Sequence, residues 1–534
     1  MKTILDITKG FMAASVLSVA LSGCSEDVMD RINKDNDHTT DVQAKFILAD
    51  VITRTAFCNV GSDLNTYEAS YVEHEVGTHN QLYRAEHRSN EPIASTTFNN
   101  TWGYLYTTLK NVRVIIDKCS EGGTQEGNDV TKGMGEVMAA LTAGILTDSF
   151  GDTPYSEASL ISEDGTPVHM QPKIDTQESI YTDIHALLDQ AIIDLQGTDS
   201  HASGAAREYD LLYSGDAEKW VRFAYGLKAR YTMHTLLRAA DQRQALENVI
   251  AYADQSFQSA DEQAAFAWYD ANNLNPLFDF FWSREALAAS QSMSEKLIER
   301  NDPRIRRVFV EAVNDDNIIN RVEGPDSENF FMAPNGENEQ LQTYYNTSIF
   351  VYAQTAPTLL MSYHEVLFLK AEALARLGRA DEAKAVLKEA VIAGIANMEN
   401  SVSAALTAPQ VLNTYGGIVE TTEAITPEEA ATYFDNEVAP LFDANPVKEI
   451  MNQKYIAFFG ASGESPEAYN DIRRLMALGE EDFITLKNPN NDSRFPLRCP
   501  YGNDDTTTSP EVQSAYGNGQ YVYTEPVWWA GGTR

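Results

Sequence analysis

The pattern in this chain that comes nearest to a catalytic motif is His74-Glu75-Val76-Gly77-Thr78-His79. It is one residue longer than the zinc-peptidase motif H-E-x-x-H, in which two histidines share one face of a helix and bind the same ion. Here the histidines are five positions apart, which places them well around a helix from each other. The spacing therefore argues against a metalloprotease, and we predict no metal ligand.

Motifs for other chemistry are missing from the sequence. The segment Gly460-Ala461-Ser462-Gly463 lacks the spacing of a G-x-S-x-G nucleophile elbow, and neither a Walker loop nor G-x-G-x-x-G occurs. The acid-rich stretch 488–508 offers oxygen ligands for calcium without the fixed spacing of an EF-hand loop. We therefore predict no catalytic residue and no cofactor, with structural calcium in that stretch left open.

Ligand binding is the sharper prediction for this chain. Sugars present flat C–H surfaces on which aromatic rings stack, while polar side chains read the hydroxyl groups. Three stretches outside the helical patterns combine such residues, at 80–90, 266–282 and 344–346, although any single ring could instead pack in the core. The predicted ligand-binding residues are Asn80, Tyr83, Arg84, Trp268, Tyr269, Phe281, Trp282, Tyr344 and Tyr345.

Charge and cysteine content exclude whole classes of function. The 534 residues carry 78 acidic and 40 basic side chains, a net charge of −38 at pH 7. Nucleic-acid binding needs Lys and Arg to neutralise phosphates, so we predict no nucleic-acid partner. Beyond the N-terminal region, the widely spaced Cys58, Cys119 and Cys499 exclude a disulfide framework and a CxxC metal site, and a single pair among them stays open.

Among the elements that must position these residues, the stretch from Thr355 to Met398 is the best defined. Apolar residues recur at helical spacing from Ala383 to Ile395, and a similar stripe runs from Tyr363 to Leu377. Gly378 follows the first stripe, where the end of a helix favours a residue that tolerates φ > 0. The two helices resemble one tetratricopeptide (TPR) pair, which needs further helices to bury its apolar face.

Helical patterns recur along most of the remaining chain, which predicts a mainly α-helical protein. Trp102 and Trp220 lie on apolar stripes and are predicted to be core residues, whereas the sequence does not decide whether Trp528 and Trp529 are packed. The predicted helical segments are 42–57, 99–119, 135–147, 179–195, 216–237 and 241–257.

The N-terminus has the form of a processing segment. Lys2 and Lys9 precede an apolar run that is too short to span a bilayer and ends in Leu21-Ser22-Gly23-Cys24. This ending resembles a bacterial lipobox, which predicts a signal peptide at 1–23, lipidation of Cys24 and a flexible tether at 24–40. The acidic start that follows Cys24 resembles the export signal of surface lipoproteins in Bacteroidetes. The alternative is an ordinary signal peptide with an incidental cysteine.

Seven sequence phrases occur in a fixed order along the chain. They are Ile32–Asn36, Gly135–Ala140 with Phe150–Tyr155, Ser179–Ile184 with Leu188–Ala191, Trp220–Arg230, Asp302–Arg304, Ser362–Ala373, and Lys454–Ala457 with Asp471–Arg474. Their order resembles the SusD/RagB family of outer-membrane nutrient-binding lipoproteins. There are departures: Tyr455 stands where the family has Trp, and the C-terminal phrase of the family is reduced to Arg498-Cys499-Pro500-Tyr501-Gly502.

This resemblance implies a TPR-like scaffold of about four helix pairs carrying a looped, variable substrate-binding subdomain. A single domain is then expected over 41–534, with the helix pairs mainly in 41–250 and 356–480 and the variable parts at about 258–350 and 480–534. The resemblance also implies a non-enzymatic, lipid-anchored protein at the cell surface. Such a protein captures an oligosaccharide and delivers it to a SusC-like TonB-dependent transporter of the outer membrane.

Three alternatives stay open at this point. The surplus of carboxylates together with an aromatic loop would also suit a surface enzyme that processes glycans. A member of the same family that binds peptides is the second alternative, because ligands vary within the family. A purely structural TPR adaptor is the third.

Overall fold

The architecture is seen in a computed structural model, which describes residues 42–95, 98–162, 165–313, 317–337 and 341–534. The predicted signal peptide, Cys24 and the tether to residue 40 lie outside the described residues. Residues Ala44–Arg534 form one compact unit. In the described ranges, no helix combines the length and apolar character that crossing a bilayer requires.

Helices dominate this unit, and a π-helical turn at Thr55–Val60 extends the first of them. In chain order the α-helices are α1 (Ala44–Arg54), α2 (Asp63–Tyr71), α3 (Asn80–His87), α4 (Asn99–Cys119), α5 (Asp129–Phe150), α6 (Gln177–Asp194), α7 (Ala217–His234), α8 (Gln242–Gln255), α9 (Pro276–Arg284), α10 (Gln291–Glu299), α11 (Tyr363–Arg376), α12 (Ala380–Leu406), α13 (Pro409–Tyr415), α14 (Pro427–Tyr433), α15 (Ala439–Ala444), α16 (Pro446–Ala457), α17 (Ser465–Leu478), α18 (Asn491–Arg494), α19 (Asn503–Thr508) and α20 (Pro510–Tyr516).

Four helix pairs form the scaffold: α1 with α4, α5 with α6, α7 with α8, and α11 with α12. Neighbouring pairs also touch, since α4 packs on α5, α6 on α7, and α8 on α11. Trp102 and Trp220 are buried within these pairs, as their stripes predict. The predicted mainly α, TPR-like scaffold of about four pairs is confirmed.

Local sequence explains where these helices begin and end. Asp216 caps α7 by accepting hydrogen bonds from the backbone N–H groups of Glu218 and Lys219, at 3.1 and 3.4 Å. Ser362 caps α11 in the same way, through the N–H of Glu365 at 3.1 Å. Each cap satisfies a donor that would otherwise have no partner within the helix. Gly378, at φ 79°, ends α11 as predicted.

Short strands pair segments of the chain that lie outside the four helix pairs. Most of these strands lie between α8 and α14. The strands are β1 (Glu75–Gly77), β2 (Thr153–Pro154), β3 (Ile174–Asp175), β4 (Ala264–Phe266), β5 (Leu287–Ala289), β6 (Phe309–Val310), β7 (Ile319–Val322), β8 (Thr347–Ser348), β9 (Thr358–Met361) and β10 (Ile418–Val419). Strands β1 and β5 pair in antiparallel register, with Glu75 opposite Ala289 and Gly77 opposite Leu287. The other strands form the pairs β2 with β3 and β4 with β9, and the four-stranded sheet β10-β7-β6-β8.

The end of the chain returns to the helices at its beginning. The indole of Trp529 is fully buried and donates from Nε1 to the Asp148 carboxylate on α5 at 2.8 Å. The backbone N–H of Cys499 donates to the carbonyl of Ser149 at 2.7 Å, and that of Asn503 to the Asn99 side chain at 2.8 Å. Trp529 is therefore a core residue, which the sequence left undecided.

Candidate ligand-binding site

Two short helices, α3 and α9, meet because the strands beside them are paired. Strand β1 leads into α3, and β5 follows directly after α9. The N–H of Thr78 donates to the carbonyl of Ala286 at 2.9 Å, which extends the pairing to the ends of both helices. The β1–β5 ladder thus fixes the Asn80 end of α3 against the Arg284 end of α9.

A cleft of about 450 Å³, here called the central cleft, lies between these two helices. Asn80, Gln81 and Arg84 of α3 line it from one side, and Phe280 and Arg284 of α9 from the other. On α3, the side chain of Gln81 is held by the Tyr67 hydroxyl, which donates to its Oε1 at 2.5 Å. Amide and guanidinium groups around an aromatic ring are suited to hydrogen-bond a polar organic ligand.

Two further clefts adjoin the central cleft and share wall residues with it. The Asn272 cleft, of about 410 Å³, is lined by Asn272 and Asn273 and shares Phe280 and Arg284 with the central cleft. The Tyr523 cleft, of about 480 Å³, shares Gln81 and Arg84 with it. Because the walls are shared, we treat the three clefts as one groove.

A separate cleft of about 440 Å³ lies on the other side of α9 and is called the Tyr345 cleft. Phe281 and Glu285 line it from the end of α9, together with Tyr345 and Tyr415. Consecutive residues of α9 thus line different clefts, since Phe280 lines the groove and Phe281 lines the Tyr345 cleft.

Three aromatic rings cluster at the edge of the Tyr345 cleft. The ring centroid of Phe331 lies 5.0 Å from that of Tyr344 and 5.3 Å from that of Tyr345, and the two tyrosine rings are 5.2 Å apart. Tyr344 is 56% exposed and Phe331 45% exposed. Gln342 ties this cluster to α9 by donating to the carbonyl of Arg284 at 2.7 Å. Exposed rings held in fixed geometry suit stacking on the C–H face of a sugar.

Burial alters the ionisation of several groups in these clefts. It raises the pKa of Asp63, in the Asn272 cleft, above its usual value, although the Asn100 amide and the charge of Arg284 lower it in part. Burial also raises the pKa of the Tyr67, Tyr345 and Tyr415 hydroxyls. At neutral pH these phenols are therefore uncharged hydrogen-bond donors.

The predicted residues of the first stretch divide between the groove and its border. Asn80 and Arg84 line the central cleft, as a ligand-binding role requires. Tyr83 is half-buried and stacks on His87 at a centroid distance of 5.7 Å. The sequence predicts a polar segment between helices here, and that is wrong, because Asn80–His87 is itself helical.

The second stretch contributes fewer ligand-accessible residues than predicted. Tyr269 is only 7% exposed, and its hydroxyl is bonded to Thr358 at 2.7 Å, so this ring is part of the core. Phe281 is also buried and reaches only the wall of the Tyr345 cleft. Trp282 is half-buried and stacks on Phe278 at 5.2 Å. Trp268 is 60% exposed but lines none of the four clefts, and its Nε1 donates to the carbonyl of Leu211 at 2.8 Å.

Sequence reasoning missed that part of this second stretch is a helix. Asn275 caps α9 by accepting from the N–H groups of Leu277 and Phe278, and Pro276 occupies the first helical position. The Asn-Pro pair is a sequence signal for the start of a helix. A helix that starts there has Phe280 and Arg284 four residues apart, on the same helix face. The groove residues inside the predicted stretches that were not singled out as ligand-binding are Gln81, Asn272, Asn273 and Phe280. Arg284 of the groove and Phe331 of the aromatic cluster lie outside those stretches and were missed.

The motifs considered for metals have other partners here. His74 is buried, its two ring nitrogens lie 3.1 Å from Ser465 Oγ and 3.0 Å from the Tyr455 carbonyl, and burial lowers its pKa to about 3. In the acid-rich stretch 488–508, Asp505 accepts from the indole of Trp102 at 2.7 Å. No group of three or more His, Cys, Asp or Glu poised for a metal ion occurs among the described residues.

The sequence left open whether two of the three cysteines form a disulfide. Cys58, Cys119 and Cys499 are all free in the described part of the chain. Cys119 and Cys499 are buried, and burial raises the pKa of both thiols. Raised pKa values disfavour the reactive thiolate, so these are structural side chains.

Comparison with known sequences and structures adds independent information. Residues 35–502 match the sequence model of the SusD-like family, which is described as "Starch-binding associating with outer membrane". A solved SusD/RagB family protein from Bacteroides thetaiotaomicron is 52% identical and has a TM-score of 0.87, covering 92% of this chain and 100% of its own.

More distant structures share the fold. A chitin-binding protein is 23% identical with a TM-score of 0.66, and the match covers 90% of this chain and 99% of that one. A SusD homologue from Bacteroides fragilis is 18% identical with a TM-score of 0.65, covering 92% and 100%. No curated protein matches the chain.

Proposed function

Because the chain belongs to the SusD-like family, we propose that it is a surface lipoprotein that captures a glycan and delivers it to a SusC-like TonB-dependent transporter. The description of the family as starch-binding and associated with the outer membrane supports both the kind of ligand and the location. The lipobox-like ending at Cys24 supports anchoring by lipid.

The observation that carries this proposal is the pairing of a polar groove with an exposed aromatic cluster around α9. Asn80, Gln81 and Arg84 offer hydrogen-bond donors and acceptors in the groove, while Phe331 and Tyr344 present exposed rings beside the Tyr345 cleft. Oligosaccharides need both kinds of contact, because hydroxyl groups ring a largely apolar C–H face. A purely structural adaptor would have no use for such a surface.

We propose binding without turnover. The family description names binding and no reaction. The His74 motif is buried in structural contacts, as described above, and its segment forms a strand and not a metal-binding helix. Glycan cleavage by this protein is therefore an outcome that would contradict the proposal.

The capture step is tested with residues 41–534, which include the whole compact unit, against polysaccharides, oligosaccharides and peptides. We expect binding of a saccharide at equilibrium, with the ligand recovered intact by mass spectrometry. Selective binding of peptides would contradict glycan capture and support the peptide-binding alternative. Release of shorter products, abolished by a change of one Asp or Glu, would establish the enzyme instead.

The delivery step is tested with the native acylated protein. We expect it to fractionate with outer membranes and to co-purify with a TonB-dependent β-barrel transporter. A Cys24→Ala chain should be released from the membrane, because no other lipid attachment is proposed. Fractionation of the native protein with the inner membrane alone would contradict the proposal.

A further inference from the structure

Two arginines from different helices line the central cleft. Arg84 reaches the cleft from α3 and Arg284 from the end of α9. Among the described residues, no Asp or Glu lines this cleft, although the chain carries 78 acidic side chains and a net charge of −38. The first turn of α3 has no acidic residue either. The cleft is therefore a locally cationic part of a strongly anionic protein.

The two guanidinium groups that line the central cleft have no ion-pair partner in the described ranges. Within the described residues, neither Arg84 nor Arg284 has a carboxylate at ion-pair distance. Several arginines elsewhere are neutralised, as by the contact of Arg230 with Glu365 at 2.5 Å, of Arg307 with Glu399 at 2.9 Å, and of Arg376 with Glu480 at 2.6 Å. An unpaired arginine pair facing one cleft is suited to receive an anion from outside.

Arg284 is also held in position for such a contact. Its guanidinium lies over the ring of Phe280, 4.9 Å from the ring centroid, and Nη1 donates to the Ser283 hydroxyl at 2.9 Å. A stacked guanidinium keeps the N–H groups along its edge available to donate. Arg284 is thus partly ordered before a ligand arrives, which lowers the entropic cost of binding.

The parts of the groove on either side of the central cleft also contain carboxylates. Asp63 and Asp279 line the Asn272 cleft, and Glu91 lines the Tyr523 cleft. A ligand with a negative charge on every unit would meet carboxylates on both sides. A ligand with one charged unit between neutral neighbours would meet arginines at the charge and polar groups beside it.

We propose that the central cleft selects a glycan bearing an isolated anionic group, a carboxylate or a sulfate, between neutral sugar residues. The inference rests on the proposed function and narrows its substrate class. Arg84 and Arg284 both donate to the anion, while the flanking Asp63, Asp279 and Glu91 disfavour uniformly charged polymers. Hydrogen bonds to charged groups contribute enough that losing one arginine is expected to weaken binding about tenfold.

The test uses matched oligosaccharides and residues 41–534. One pair is a xylo-oligosaccharide with a single glucuronic acid and the same compound after reduction of its carboxyl group. The second pair is a singly sulfated oligosaccharide and its desulfated form. Maltoheptaose and an oligogalacturonide represent fully neutral and fully charged ligands. We expect the charged member of at least one pair to bind about tenfold more tightly than its neutral partner.

Variants then connect this preference to the two arginines. Arg84→Gln and Arg284→Gln should each weaken binding of the charged member about tenfold more than binding of the neutral member, which removes most of the difference within a pair. Arg243→Gln is the control, because it changes the net charge equally from a side chain 75% exposed on α8, whose contact is with Glu247. Thermal unfolding of each variant verifies that the fold is intact.

The outcomes separate the two proposals. Saccharide binding with no preference for the charged member of either pair overturns this inference and leaves the proposed function standing. Tightest binding of the oligogalacturonide overturns it as well, because an isolated charge would not be the feature recognised. Absence of binding to every saccharide overturns the proposed function, and the inference fails with it.

Discussion

Arg474 holds Glu372 with both of its terminal nitrogens, Nη1 donating to Oε1 at 2.6 Å and Nη2 to Oε2 at 2.7 Å. Both side chains are almost fully buried, and the pair joins α17 to α11. Burial alone would raise the pKa of Glu372, but Arg474 and Arg376 hold it well below its usual range. This buried ion pair thus joins α11, of the last helix pair, to α17, which lies further along the chain.

Removing one partner of this ion pair should destabilise the fold severely. Glu372→Gln leaves Arg474 with Asp471 alone, at 2.9 Å, and Arg474→Met leaves Glu372 with Arg376 alone, at 2.7 Å. Because the two-bond partner of a buried charge is lost in each case, the cost is up to about 3–5 kcal/mol in the free energy of unfolding. Urea unfolding followed by circular dichroism measures this loss. Arg379→Met is the control, because Arg379 and Glu382 form an exposed pair at 2.6 Å, and we expect its midpoint to stay close to that of the wild type. Equal effects of the two arginine changes would contradict the prediction.

Glu75 should make the protein less stable as the pH rises. Burial raises its pKa from 4.5 to about 8, although the hydrogen bond from Ser348 lowers it in part. Because the folded state then binds the proton more tightly than the unfolded state, stability is lost between pH 4.5 and pH 8, at about 1.4 kcal/mol per pH unit. Glu75→Gln should therefore raise the melting temperature at pH 8 and leave it nearly unchanged at pH 4.5.

The control for this pH effect is Glu481→Gln, which removes the same charge from an exposed position. Its melting temperature should follow that of the wild type across the same range. A Glu75→Gln protein that is less stable than the wild type at pH 8 would contradict the prediction, because the folded state would then favour the ionised carboxylate.

Two glycines within helices should respond to alanine in opposite directions. A Cβ atom at Gly144 of α5 would lie 2.1 Å from the hydroxyl of the buried Tyr231, so Gly144→Ala should cost about 1–3 kcal/mol through overpacking. A Cβ at Gly103 of α4 meets no neighbouring atom within 4 Å, so Gly103→Ala should stabilise the protein by about 0.5–1 kcal/mol. Denaturant midpoints of both variants test the sign, and a shared sign would refute the packing argument.

The aromatic cluster should contribute to saccharide affinity more than Trp268 does. Tyr344→Ala and Phe331→Ala each remove an exposed ring and should weaken binding about tenfold without lowering the melting temperature. Trp268→Ala removes a ring that lines none of the clefts and should have little effect. Titration calorimetry with the best ligand of the screen compares the three. A loss confined to Trp268→Ala would move the binding site to that tryptophan.

The helix pairs could be predicted from the sequence because their signals are local. Apolar stripes repeat within each helix, and caps such as Asp216 and Ser362 lie beside the helices they start. The groove could not be predicted in the same way. Asn80 and Arg284 become neighbours through the β1–β5 ladder, and strands of three residues carry too little periodicity to reveal their partners.

Burial explains why aromatic residues were the least certain part of the prediction. Tyr269 and Tyr344 both occur in polar, loop-like sequence, yet one is in the core and the other exposed. Which ring faces solvent depends on segments that pack over it, as Phe57 and Phe266 pack on Tyr269. That information is distributed along the chain and is not carried by neighbouring residues.

The bond from Trp529 to Asp148 has a consequence for the order in which the protein can fold. The two residues are 381 positions apart, so Asp148 is synthesised long before its partner. Helices α4 and α5 can form early, but the part of α5 that Trp529 covers becomes buried only after those further residues have been made. A chain cut short before Trp529 would expose the surface of α5 around Asp148 that the indole otherwise covers.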